Sequence, residues 1–232
     1  SACSDAKLRV LSGTTYQPNT NSTVINFENY GTFVPATTTM RVSGEWLQNG
    51  TFTTGDSTII FTATTSSFTL LTSTSSLHFN NATFGETTGS ATWTIAKPLV
   101  VSGNLSVSNG TLARGTSTIN IARNLQIGST GFFSGLATTT FDGSGSYTWS
   151  DAKSSTSSSN AGYVVVDGTT RTVTLAGNVG AETVTIGADD TLNASGSGYN
   201  INVYTDWTNN NAFIPQTGTV TFVGTSTATI NR

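Results

Sequence analysis

The 232 residues carry a net charge of −3 and only 9% charged side chains, which rules out a basic, phosphate-neutralising surface and with it nucleic acid or an acidic membrane as an expected partner. No stretch approaches eighteen consecutive apolar residues, so no bilayer-spanning helix is expected, and the single cysteine cannot form an intramolecular disulfide. Threonine makes up about a fifth of the chain, so its surface is wetted by hydroxyls and amides rather than by charge.

In chain order, residues 1–26 show no repeat and read as an N-terminal cap. Within it Ser4 to Leu11 is either a short capped helix or a capping strand, and small residues before Cys3 open a lipid-anchor reading beside that of a plain unpaired thiol. From residue 27 to 232 the chain repeats. Trp46, Phe52, Phe61, Phe68 and Leu70 align with Leu125, Phe132, Phe141, Tyr147 and Trp149 at offsets of 79 or 80, and Phe132 and Phe141 return as Phe213 and Phe222. Within each eighty, two apolar residues stand nine apart across a turn: Phe33 and Val42, Phe52 and Phe61, Leu112 and Ile121, Phe132 and Phe141, Leu192 and Ile201, Phe213 and Phe222. Their first members recur about every twenty residues, the length of one coil of a solenoid.

The expected fold is therefore all-β: a right-handed parallel β-helix of about twenty-residue coils with an eighty-residue higher-order repeat, forming one elongated body. Alternation in Thr58 to Phe61, Thr118 to Ile121, Thr138 to Phe141 and Thr219 to Phe222 points the last and third-from-last residues inward. That reading stacks Phe61, Phe141 and Phe222 in one interior column and Ile59, Ile119 and Val220 in another. It also places Thr39, Thr58, Thr118, Thr138 and Thr219 in one outward column. Ser154 to Asn160 breaks the rhythm and reads as a loop bulging from a corner. The chain stops in mid-repeat, so Thr219, Thr221, Thr227 and Thr229 mark an expected assembly edge for axial stacking.

Gly44-Glu45-Trp46, Gly50-Thr51-Phe52, Gly103-Asn104-Leu105, Gly110-Thr111-Leu112 and the run Gly218 to Phe222 resemble the repetitive Thr/Ser/Gly-rich surface proteins of bacteria, which are adhesin-like and stalk-like β-solenoids. The resemblance implies an extracellular or cell-surface, non-enzymatic structural or adhesive role in a rod, stalk or filament; self-association through the incomplete last coil, and surface glycans, are the expected partners. It implies no cofactor and transfers no catalytic residue.

Other chemistry is sparse. Asp189-Asp190 is the one adjacent acidic pair, and it falls where other coils have turns, so it reads as a polar turn rather than the paired carboxylates of a glycosidase. His78 is the only histidine and reads as structural or exposed; no His or Cys pair could hold zinc. Lys7, Lys97 and Lys153 raise the possibility of a Lys–Asn or Lys–Asp cross-link. Sequons at Asn21, Asn49, Asn81, Asn104, Asn109 and Asn193 follow largely from composition. Two rival functions remain beside the rod: ice binding through the threonine column, and carbohydrate binding or cleavage with Trp46, Trp93, Trp149 and Trp207 stacking on sugars, although their repeat positions favour the core.

Overall fold

The computed structural model describes residues 6–153 and 160–232, and among these every regular element is a β-strand and every strand pairing is parallel. Alternation makes the strands. Thr92–Ile95 and Thr183–Ile186 both bury their second and fourth residues and turn threonines outward, as β-branched side chains do on a half-buried pleat.

The chain winds as a β-solenoid of about ten coils averaging about twenty-one residues, and each coil visits three faces in turn. One coil consists of Thr92–Ile95 on the first face, Leu99–Val101 on the second and the start of Leu105–Ala113 on the third. The next coil stacks on it, with Thr92 paired to Thr111, Leu99 to Ile119 and Leu105 to Leu125. Coil length varies with the corners: Lys7 pairs with Asn26, nineteen residues on, whereas Ser67 pairs with Thr92, twenty-five on. At about 4.8 Å per coil the stack is about 50 Å long.

Leu105–Ala113 and Leu125–Ser134 run round the corner between the third and first faces unbroken, which joins these faces in a fifteen-stranded sheet. The register shifts between Val107 and Asn109, and glycine makes the bend possible. Gly110 sits at φ 72°, and a Cβ on Gly131 would collide with the Val107 carbonyl. The second face forms an eight-stranded sheet from Leu77–Phe79 to Ile230–Asn231 and, before it, a separate sheet of Thr15–Tyr16, Thr32–Phe33 and Thr51–Phe52.

The segment expected as a cap carries the first coil. Lys7–Val10, Thr15–Tyr16 and Ser22–Val24 each pair with the coil that follows, so the ladder reaches back to Lys7, and of the two readings for residues 4–11 the strand is found. Cys3 and residues 154–159 lie outside the described residues; Asn160 bridges to Gly180.

Fold class and coil length are as expected, but the eighty-residue interval does not stack. Phe61 lies on the third face, Phe141 on the second and Phe222 on the first. Phe61 stacks on Phe84, centroids 4.7 Å apart, while Phe141 pairs with Ile121 and Val166, and Phe222 with Val203. Ile59, Ile119 and Val220 are divided among the same faces. The reason is geometric. Four coils carry Phe61 through Phe84, Val107 and Ile127 to Asp151, so eighty residues fall one strand short of a return to the same face. One further assignment is reversed: Phe132 is 48% exposed and its neighbour Phe133 takes the inward place above Leu112.

Phe61, Phe141, Trp46, Trp93, Trp149 and Trp207 are all buried in one continuous core. Corners are held by side-chain ladders. Asn104 donates its backbone N–H and Nδ2 to Asn81 Oδ1 at 2.9 and 3.2 Å, Asn124 does the same to Asn104 Oδ1 at 3.3 and 2.8 Å, and Thr148 N–H and Oγ1 bond Asn124 Oδ1 at 2.8 and 3.1 Å. The carboxamides of the sequons at Asn81 and Asn104 are thereby engaged.

Two buried arginines tie three coils together at other corners. Arg114 donates from Nε to Gly135 O at 3.0 Å and from Nη1 to Thr139 Oγ1 at 2.6 Å and Ala161 O at 2.8 Å, with Phe133 under its guanidinium at 4.9 Å. Arg171 donates to the carbonyls of Ala122 and Arg123 at 2.9 and 3.0 Å, between the rings of Phe141 and Tyr147. Desolvation pushes Arg114 down to about 10, still far above neutrality, so it remains a cation.

Candidate functional site

The five threonines expected in one column occupy three faces. Thr39 and Thr58 are partners on the third face, with Asn81 following; Thr118 and Thr138 belong to the second; Thr219 precedes Val220 on the first and donates its N–H to Asn200 Oδ1 at 2.9 Å. The error descends from the eighty-residue register, which connects strands on different faces.

The structure assembles a different array on the second face. His78, Val100, Asn120, Thr140, Val165, Thr185, Thr208 and Asn231 follow one another strand by strand. Beside them Thr138, Tyr163 and Thr183 form a second column. Along a strand the two columns are about 6.8 Å apart, and along the axis about 4.8 Å. The threonine pairs Thr138 with Thr140 and Thr183 with Thr185 were legible as alternation; their common face was not.

Of the expected assembly edge, Thr219 and Thr221 flank Val220 on a strand that pairs with Ile201–Val203, and Thr229 donates its N–H to Asp206 Oδ1 at 2.8 Å next to Ile230–Asn231. Thr221, Thr227 and Thr229 are exposed. Trp207, Phe213, Val220, Phe222 and Ile230 surround an apolar opening of about 180 Å³ at this end.

The acidic pair does the work of a turn. Asp190 is buried, its carboxylate accepts the N–H of Arg171 at 2.7 Å and of Gly168 at 3.1 Å, and Asp189 accepts that of Thr170 at 3.2 Å. Lys7 pairs with Glu28 at 2.7 Å; Lys153 donates to the carbonyls of Gly131 and Gly128, lies over the Phe132 ring and stands 3.8 Å from the Asp151 carboxylate. The Lys7 and Arg9 contacts hold the Glu28 carboxyl below its usual range, whereas desolvation lowers Lys153. Among the described residues no group of three or more His, Cys, Asp or Glu is placed to hold a metal ion. All four tryptophans face inward and are at most 7% exposed, which places them in the core.

One recess interrupts the second face. Thr51–Phe52 and Leu77–Phe79 belong to successive coils but to separate sheets and do not pair. The upper coil turns its corner on Asn49-Gly50, the lower on the longer run 73–76, and the mismatch opens a hollow of about 460 Å³. It is lined by Gln48, Asn49, Gly50, Thr51, Phe52, Thr74, Ser75, Ser76 and His78. A chain of hydroxyls orders its rim: Thr72 Oγ1 and Thr74 Oγ1 are 2.6 Å apart, Thr74 Oγ1 donates to Ser76 O at 2.8 Å, and Ser76 Oγ meets His78 Nε2 at 2.6 Å. Nothing in the sequence pattern announced the hollow, because it arises from two corners of unequal length.

Comparison with family models, with curated proteins and with solved structures finds no match to this chain.

Proposed function

We propose that this chain is a non-enzymatic extracellular solenoid, a structural or adhesive rod segment of a surface protein or filament. The observation that carries the reading is the parallel stacking of about ten coils on one continuous core, with hydroxyls and amides prominent among their outward residues. Each coil buries its core only against its neighbours, so such a body sets a distance and presents a repeating surface. Two copies fused in tandem should scatter X-rays as a rod about twice the roughly 50 Å of one copy. Antibody against the folded chain should label intact cells of the source organism; labelling only after permeabilisation, or a compact tandem particle, would refute the rod at the surface.

The second-face array favours one further reading, binding to a crystalline surface such as ice. Thr138 with Thr140 and Thr183 with Thr185 supply two ranks of methyl and hydroxyl groups, interrupted by Tyr163 and Val165 between them. Thermal hysteresis measured on the intact chain, and its loss in Thr140→Lys, would establish that use; no hysteresis would dismiss it.

A further inference from the structure

We infer that the recess between Thr51–Phe52 and Leu77–Phe79 is a binding site for a short neutral oligosaccharide. The inference is independent of the rod's length and extends the adhesive reading by naming a ligand class and a place.

Its chemistry selects the ligand. The nine lining residues include no Asp, Glu, Lys or Arg, so an ionic ligand would find no counter-charge there. They supply instead two amides, four hydroxyls and one imidazole, groups that donate and accept in the mixed pattern a sugar's hydroxyls require. Phe52 adds the apolar surface that a sugar's C–H face needs, and it is held in place by stacking on Phe33 at 5.5 Å and edge contacts with Trp46 at 5.6 Å and Phe79 at 6.0 Å. A volume of about 460 Å³ lies within the roughly 300–1,000 Å³ of small-molecule sites.

Two features set this hollow apart from an ordinary surface dip. The rim is preordered, since Thr74, Ser76 and His78 are joined by hydrogen bonds before any ligand arrives. Gln48, only 4% exposed, lines the hollow while its Oε1 is a buried acceptor with no donor. An orphaned buried acceptor is costly, and turning the carboxamide toward a bound sugar hydroxyl would satisfy it.

The test is titration of the ¹⁵N-labelled intact chain with cellobiose, maltose and N,N′-diacetylchitobiose, followed by amide chemical shifts. The expected result is a saturable response to at least one of the three, confined to residues 48–52 and 74–78. His78→Ala, on an exposed side chain, should weaken it at least tenfold with an otherwise unchanged spectrum, and Thr208→Ala on the same face should leave it unaltered. Absence of a saturable response to all three sugars, shifts scattered over the faces, or full binding by His78→Ala would overturn the site. The rod reading would stand or fall separately on the tandem scattering.

Discussion

At the scale of single residues, the interior is held by two kinds of side chain that carry different penalties on removal. Phe141 is wholly buried, packs 5.8 Å from Trp149 and lies beneath the Arg171 guanidinium. Phe141→Ala opens a cavity between coils whose backbones are fixed by ladder bonds and cannot close on it, so unfolding in urea should show a loss of about 3–5 kcal/mol. A loss below about 1 kcal/mol would contradict that rigid packing. Arg114 poses a contest between two effects. Arg114→Met relieves the burial of an unpaired cation but strips the Gly135 carbonyl of its Nε donor, while Ala161 O keeps its bond from Thr139 Oγ1. Gly135 is exposed and water can replace that donor, but the buried Thr139 Oγ1 and Ala161 O give up their Nη1 donor and the contact with Phe133 is lost, so a net loss of about 1–3 kcal/mol is expected. Because Arg114 stays charged well past neutrality, the difference between wild type and variant should be the same at pH 5 and pH 9. A marked change between those pH values would show that its proton is lost earlier.

At the scale of strands and corners, what could be read in the sequence was local. Thr92–Ile95 or Thr183–Ile186 declares its inward residues by alternation alone, and the nine-residue spacing of Leu112 and Ile121 marks a strand, a turn and the next strand. That same spacing serves different corners: Phe33 to Val42 passes from second face to third, Leu112 to Ile121 from first to second, and Leu192 to Ile201 from third to first. A unit that works at every corner carries no label saying which corner it is. The coil length was therefore legible, but the identity of the face was not, and the threonine column inherited that ambiguity. The recess was beyond reach for a related reason. It depends on Asn49-Gly50 and the run 73–76 meeting in consecutive coils, a property of the stack and not of either turn.

For the whole molecule, stability follows from each coil's contacts with its two neighbours, and those contacts are uneven along the axis. The middle is the most firmly joined. Leu105–Ala113 and Leu125–Ser134 are paired along most of their length, and Arg114 and Arg171 each reach across three successive coils in the same region. Near the N-terminus the second face is carried by two-residue strands, and its ladder is interrupted between Thr51–Phe52 and Leu77–Phe79. There the ladder couples the coils through the first and third faces, by Trp46 paired with Leu70 and Thr58 with Asn81, and the second face adds only ring contacts of Phe79 with Phe52 and Trp46, beside the exposed ion pair of Arg41 and Glu86. A surface pair of this kind contributes no more than about 1 kcal/mol. Opening should therefore proceed in sections, with residues 7–61 released at lower free energy than residues 99–193. Native-state hydrogen exchange should show amides of Thr15–Tyr16, Thr32–Phe33 and Thr51–Phe52 exchanging well before those of Leu99–Val101, Ile119–Ile121 and Thr183–Ile186. Lengthening the second face across the gap, by deleting Ser75 and Ser76 so that the lower corner approaches Asn49-Gly50 in length, should raise protection in the first group and leave the second unchanged. Equal protection of both groups in the natural chain would mean that the first and third faces alone couple the coils, and that the interrupted ladder has no mechanical consequence.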